Sequence, residues 1–381
     1  MRVHARDGRA RAGSFVVAHG TVETPVFMPV GTQATVKTLV PDELARAGAR
    51  VLLANTYHLC LRPGVELIRR AGGLHRFMAW NGALLTDSGG FQIVSLADLA
   101  RLDDDGVTFR SHIDGSQHRF TPETAIDAQE SIGADIAMAF DQPIRWGASR
   151  EEAQEAADRS AAWAERCLRA HRRADQQVFG ICQGGFDPAD RRESAQRLAS
   201  LGFQGNAVGG LSVGEPKDLL GPLLDASLSA LPEDRPRYVM GVGAPEDLID
   251  AIGRGADMFD CVLPTRLGRN GAYFHPEGRR NILNARYRDD LAPLVPGCDC
   301  PACQTFSTAY VHHLFRAREI LGLRLLSLHN ISFLVTLMVD ARAAIGESSF
   351  SEFAADFLSR YRTTTGQARS RSSPPGRMPR L

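Results

Sequence analysis

The chain has 381 residues, 44% of them hydrophobic, which is ample for a large core; one big α/β domain with an appendage fits this length as well as two domains do. Its 44 basic and 44 acidic residues cancel, so no global field draws it to nucleic acid, and any such contact must rest on local charge. No apolar run approaches the length of a membrane span, and Met1-Arg-Val-His-Ala-Arg-Asp7 lacks the apolar core of a signal peptide, so a cytoplasmic protein with no membrane contact is expected. Arginine supplies nearly all the basic charge, Lys37 and Lys217 being the only lysines, which reflects genome composition more than function.

Short apolar runs alternate with helical stretches. A first strand is expected around 35–39. Val51-Leu-Leu-Ala54 is followed by a helical pattern over 63–71, and Ala83-Leu-Leu85 leads into Asp87-Ser-Gly-Gly90. Ile136-Ala-Met-Ala-Phe140 leads into Asp141 and a long helix over 149–171; Val178-Phe-Gly-Ile-Cys182 leads into Gln183-Gly-Gly185 and a helix over 188–201. Ala207-Val208 leads into Gly209-Gly210, Tyr238-Val-Met240 into Gly241-Val-Gly243 and a helix over 245–254, and Met258-Phe259 into Asp260. Repeated strand-then-helix units mean parallel strands with covering helices, and eight of them favour a (β/α)8 TIM barrel over an open sheet. In such barrels the working residues lie just past the C-terminal strand ends. Those positions hold Asp87, Asp141, Gln183, Gly210, Met240 and Asp260. Aspartate and glycine are ordinary turn formers, so the set carries more weight than any member.

Past the last strand stands Cys298-x-Cys300-x2-Cys303-x25-His329, in and after a Pro/Gly loop over 293–301. Three thiols and an imidazole are the ligands tetrahedral zinc prefers. Disulfides are the weaker reading, because Cys-x-Cys pairs are poorly placed to bridge. A shell with four protein ligands has no open position, so one structural Zn2+ per subunit is expected. Helices are expected over 307–321 and from His329 onward, giving a barrel domain over 1–290 and a C-terminal zinc-binding subdomain over 291–362. The tail over 363–381, rich in Ser, Pro and Arg with no acid, is expected to be disordered.

Two carboxylates in one barrel mouth suit a nucleophile and a proton carrier. Asp260 has apolar neighbours that would desolvate it, and a carboxylate attacking a sugar C1′ gives a covalent glycosyl intermediate. Asp87 precedes small residues that let a ligand approach the backbone; for either aspartate a helix cap or turn role competes. Phe91 and Met240 could sandwich a planar base or simply pack in the core. Asp141, Gln183 and the Gly210 N–H offer the acceptors and donor that guanine-like edges need. Between Val262 and Arg288 stand Arg266, Arg269, Arg279, Arg280, Arg286 and Arg288 against one acid, Glu277, a stretch suited to phosphate or to a solvated face.

Over nearly its whole length the chain resembles the queuine tRNA-ribosyltransferase (tRNA-guanine transglycosylase) family of bacterial type. The carriers are Thr24-Pro-Val-Phe-Met-Pro-Val-Gly31, Ala54-Asn-Thr-Tyr-His-Leu59, Thr86-Asp-Ser-Gly-Gly-Phe-Gln92, Gln183-Gly-Gly185, Val208-Gly-Gly-Leu211, Met240-Gly-Val-Gly243, Met258-Phe-Asp-Cys-Val-Leu-Pro-Thr-Arg266 and the Cys3His pattern. The resemblance implies exchange of the wobble guanine in U-G-U anticodon loops of tRNA for a 7-substituted 7-deazaguanine, in queuosine biosynthesis, with retention at C1′. Asp260 would be the nucleophile and Asp87 the general acid/base. Ser88, Asp141, Gln183, Gly210 and Leu211 would bind the base edges, and Phe91 and Met240 its faces. Arg266 and Arg269 would grip the anticodon loop, whose target base must leave the stack. The resemblance also implies a structural zinc and a homodimer.

Two departures stand out: Phe91 replaces a tyrosine common in bacterial members, and Gln142-Pro-Ile-Arg-Trp146 replaces the usual Glu-Cys-Thr-Pro beside the 7-substituent. Bacterial members insert 7-aminomethyl-7-deazaguanine, which is the base expected here; direct insertion of queuine is the alternative. A non-catalytic tRNA-binding paralogue is a further one, against which stands the presence of both Asp87 and Asp260.

Overall fold

A computed structural model describes residues 1–92 and 100–361 of the chain. The tail over 363–381 lies outside them.

Eight strands close into a barrel: β1 (Val26–Gly31), β2 (Val51–Asn55), β3 (Ala83–Asp87), β4 (Ile136–Met138), β5 (Gln177–Cys182), β6 (Gly205–Val208), β7 (Arg237–Val239) and β8 (Met258–Cys261). Each pairs in parallel with its neighbours, β8 returning to β1 and β3 pairing with β4. The strands are buried on both faces, which is why most read as unbroken apolar runs rather than as alternation. Helices follow with side-chain caps where the sequence supplies them: Ser149 and Glu152 cap Arg150–Ala170 reciprocally, and Asp187 accepts from the first N–H groups of Pro188–Ala199.

The first strand is not at 35–39. That segment is turn and loop, its Val36 and Leu39 buried against the outer face, and the strand role falls to Val26–Gly31 upstream. Before it, residues 2–24 form an antiparallel three-stranded sheet with no counterpart in the strand-helix reading. Its hairpin turns Phe15, Val17 and Val22 into the barrel's interior cluster, alongside Val26, Met28, Val51, Leu53, Phe179 and Met258. The hairpin sits at the N-terminal strand ends: Gln177 donates to the Val16 carbonyl (2.7 Å), and Asp135, just before β4, accepts from the His19 N–H (3.0 Å). Asp135 also holds the His19 and His75 rings, stacked 3.5 Å apart, so the apolar hairpin fills the barrel floor and is clasped there. A second antiparallel sheet (Arg101–Asp103, Gly106–Arg110, Gln117–Phe120) is inserted between β3 and the helix Pro122–Ile132.

His329 does not begin a helix. It lies well inside a single helix, Ile320–Gly346, separated from Thr308–Arg316 by a break at Ala317 to Glu319 where Arg318 takes a left-handed φ of 60°. This 27-residue helix is long and apolar enough to cross a membrane by length and composition, contrary to the sequence expectation, yet 67% of its most apolar window is buried in the protein. It is apolar all round because it serves several cores at once. Leu325 and Leu326 pack in the cluster that contains Cys300 and Cys303, Leu328, Ile331 and Val335 on the β1–β2 side, and Leu334, Leu337, Met338, Ala341 and Ile345 in the main core.

Candidate active site

Strand alternation positions the mouth. Leu53, Leu85, Ile181, Tyr238 and Met258 all face the barrel interior, and residues two apart share a face, so Asn55, Asp87, Gln183, Met240 and Asp260 form the next layer up. A barrel lined by apolar side chains thus ends in a polar ring at its C-terminal rim.

Asp87 is buried at the end of β3. One carboxylate oxygen accepts from the Thr56 N–H (3.0 Å) and the other from the Asn55 amide, while the Thr56 hydroxyl donates to the Asp87 carbonyl (2.5 Å). Burial pushes its pKa up to about 8, the Thr56 N–H opposing and the charges of Asp260 and Asp141 adding to the rise. Asp87 therefore carries a proton at neutral pH. Asp141 is also buried; its oxygens accept from the Ser88 hydroxyl (3.0 Å) and the Gln183 amide (2.6 Å), which offset part of the desolvation and leave the pKa at about 6. Asp260 is half-buried, and desolvation raises it too, against hydrogen bonds from the Tyr238 hydroxyl (2.5 Å) and the Gly241 N–H (2.9 Å). Asp87 thus holds its proton to higher pH than Asp141 does.

Glycines bring the backbone close. A Cβ on Gly90 would lie 2.4 Å from the Asp141 carbonyl oxygen, and one on Gly210, at φ 67°, would lie 2.3 Å from Gln183 Oε1. That Gln183 oxygen is buried and has no hydrogen-bond partner among the described residues. The fully buried Arg191 fixes these loops, donating to the carbonyls of Gly185 (2.7 Å), Gly209 (2.6 Å) and Gly210 (3.1 Å).

The structure brings Ser88, Asp87, Asp141, Gln183 and Gly210 together, with Met240 half-buried on the interior cluster and Leu211 buried beside Gly210. Phe91 is 51% exposed, so it is not core filler. Arg266 is exposed and Arg269 half-buried on the short helix Leu263–Arg269, which follows β8 and so starts next to Asp260. Sequence reasoning missed Asn55, Tyr238 and Arg191. The first two were findable, since each lies on a strand's inward-facing series; Arg191 reads like any helix-surface arginine.

Away from the mouth, Cys298, Cys300, Cys303 and His329 converge. The three sulfurs lie 3.8, 3.4 and 3.4 Å from His329 Nδ1, close to the ~3.5 Å ligand separation of a tetrahedral zinc site. His329 Nε2 donates to the Phe274 carbonyl (2.8 Å), which aims Nδ1 at the thiols. The donor set fits a metal ion. Next to it, Asn330 accepts from the Phe274 N–H (2.9 Å) and donates to the carbonyls of Pro264 (2.9 Å) and Ala272 (3.0 Å). Gly268 lets the two helices touch, since a Cβ there would lie 2.6 Å from the Ser327 nitrogen. The helix that carries His329 therefore holds the arginine-bearing helix directly.

A closed parallel barrel with a ring of desolvated carboxylates and an amide at its C-terminal rim defines a (β/α)8-barrel enzyme. The model of the queuine tRNA-ribosyltransferase family matches residues 7–363, and the chain belongs to that family, whose members are pentosyltransferases. It is 56% identical to the queuine tRNA-ribosyltransferase of Moorella thermoacetica over 93% of this chain and 95% of that one. Those of Herpetosiphon aurantiacus (55% identical, 96% and 93% covered) and Symbiobacterium thermophilum (53% identical, 96% and 92% covered) are similar over comparable lengths.

Proposed function

We propose that the chain exchanges the wobble guanine of U-G-U anticodons in tRNA for 7-aminomethyl-7-deazaguanine by double displacement. The observation that carries this reading is the pairing at the mouth of Asp87, whose pKa burial pushes up to about 8, with Asp260, of whose two oxygens one accepts no hydrogen bond among the described residues. In the first step the Asp260 carboxylate attacks C1′, the C1′–N9 bond breaks, and Asp87 gives its proton to the departing guanine. In the second step Asp87 takes a proton from the incoming base, whose nitrogen attacks C1′ and expels Asp260, so two inversions retain configuration.

Asp141 and the free Gln183 oxygen supply the acceptors that guanine N1–H and its 2-amino group need, and backbone around Gly210 and Leu211 lies within reach. Phe91 and Met240 stack on the base, Ser88 holds Asp141, and Arg266 and Arg269 contact phosphates of the anticodon loop. Zinc at Cys298, Cys300, Cys303 and His329 supplies structure only, since four protein ligands close the shell. We further propose a catalytic unit over 1–290 with the zinc-binding subdomain over 291–362 packed on it, a homodimer as the family resemblance implies, and the cytoplasm as the compartment, which keeps such thiols reduced.

The test is an exchange assay with labelled guanine in tRNA, offering 7-aminomethyl-7-deazaguanine and queuine in competition. Incorporation of the aminomethyl base, lost in U-A-U variants of the tRNA, is expected. Preference for queuine would favour the salvage reading, and no exchange of any base would leave a binding protein. Sedimentation at several concentrations tests the dimer.

A further inference from the structure

The two oxygens of Asp260 are not equivalent. Oδ1 accepts from the Tyr238 hydroxyl at 2.5 Å and from the Gly241 N–H at 2.9 Å. No hydrogen bond from the described residues goes to Oδ2. The donors are fixed in different ways. Tyr238 is wholly buried in β7 and lies in the barrel's interior cluster, so its ring has one position. Gly241 turns its N–H toward the carboxylate by taking φ 74°, a conformation that favours glycine.

An oxygen with two donors shares its negative charge with them and is the poorer nucleophile; the bare oxygen attacks. We infer that Tyr238 is a positioning residue that, with the Gly241 N–H, reserves Oδ1 as the spectator oxygen, directs attack through Oδ2, and eases departure of the carboxylate in the second half-reaction. This rests on the reading of Asp260 as nucleophile. In the adduct Oδ2 is bonded to C1′ and Oδ1 is the ester carbonyl. When the second base attacks, the C1′–Oδ2 bond breaks and its electron pair returns to the carboxylate. The charge spreads onto Oδ1, where two donors already stand at hydrogen-bond distance and need no rearrangement. The Tyr238 hydroxyl keeps its proton throughout, burial and the Asp260 charge both holding its pKa well above the ordinary phenol value.

Without the hydroxyl, the carboxylate becomes more basic: a better nucleophile toward C1′ and a worse leaving group from it. Tyr238→Phe keeps the ring and should keep the fold, which a thermal melt checks. Enzyme and tRNA are mixed, quenched in denaturant at steady state, and the protein–RNA adduct is quantified on a denaturing gel beside guanine exchange. Exchange turnover should fall roughly tenfold while the trapped adduct rises several-fold. A fall in exchange without more adduct, or no change in either, would overturn the inference. An unaltered protein that forms no adduct at all would remove the nucleophile reading itself, and the inference with it.

Discussion

The barrel mouth and the cysteine cluster both gather polar side chains in buried surroundings, and they treat them in opposite ways. At the cluster every donor points at one centre, and the one spare ring nitrogen is tied to the Phe274 carbonyl. At the mouth, groups are left over: among the described residues the Gln183 oxygen and Asp260 Oδ2 have no partner, and beside them burial raises the pKa of the fully bonded Asp87 to about 8. A saturated site holds structure together, whereas unsatisfied buried groups are kept, at a cost in stability, for a ligand that completes them.

Removing the metal should break the first half of this contrast most visibly. Because the helix bearing His329 is shared with the barrel's own cores, chelation or Cys303→Ser should cost at least ~5 kcal/mol and lower the melting temperature of the whole chain. A metal-free protein, verified by elemental analysis, that melts unchanged would refute the brace role. Asp260→Asn should reduce exchange by about a thousandfold or more with little change in melting, since it removes the attacking group and leaves its shape. Arg191→Met leaves three carbonyls, two of them buried, without their donor and should destabilise by about 2–4 kcal/mol, with weaker base binding measured by calorimetry.

The protonation contrast predicts a bell-shaped pH profile of kcat/KM. Asp141 must be ionised to accept from the base, so the acid limb should lie near its value of about 6; Asp87 must hold its proton for the first step, so the alkaline limb should lie near about 8. The sign for stability follows. Asp87's folded pKa is raised, so its contribution is fully present below the unfolded carboxylate range and is lost as pH rises to about 8. Asp87→Asn should remove that slope and flatten the alkaline limb. The smallest effect belongs to the rim: Arg266→Ala should make the salt dependence of tRNA binding shallower by about one unit of slope, and an unchanged slope would take Arg266 off the list of phosphate contacts.

What the sequence made legible was what local chemistry dictates. Polar residues closing apolar strands placed Asp87, Asp141, Gln183 and Asp260, and ligand type and spacing placed the cluster. What stayed hidden has local causes too. Val26–Gly31 contains Pro29, which removes a ladder donor and makes the run read poorly as a central strand. The break before the long helix uses Arg318 in a left-handed conformation that normally announces itself as glycine, so the first helix reads on through the break to 321 and the second reads as starting only at His329. An apolar face on every side of Ile320–Gly346 gives no period from which to read its neighbours, and the clasp of Asn330 on Pro264 and Ala272 exists only in three dimensions.

The hairpin that fills the barrel floor has a consequence for the order of events. With Phe15, Val17 and Val22 stopping the N-terminal end, the rim is the doorway for everything that reaches the carboxylates. On the proposed chemistry the expelled guanine and the replacement base must share that doorway and the same berth, so the first has to leave before the second can dock. A plug of three aliphatic and aromatic side chains, remote from any reacting atom, thereby imposes ping-pong traffic, and parallel initial-rate lines with varied tRNA and base are its kinetic signature.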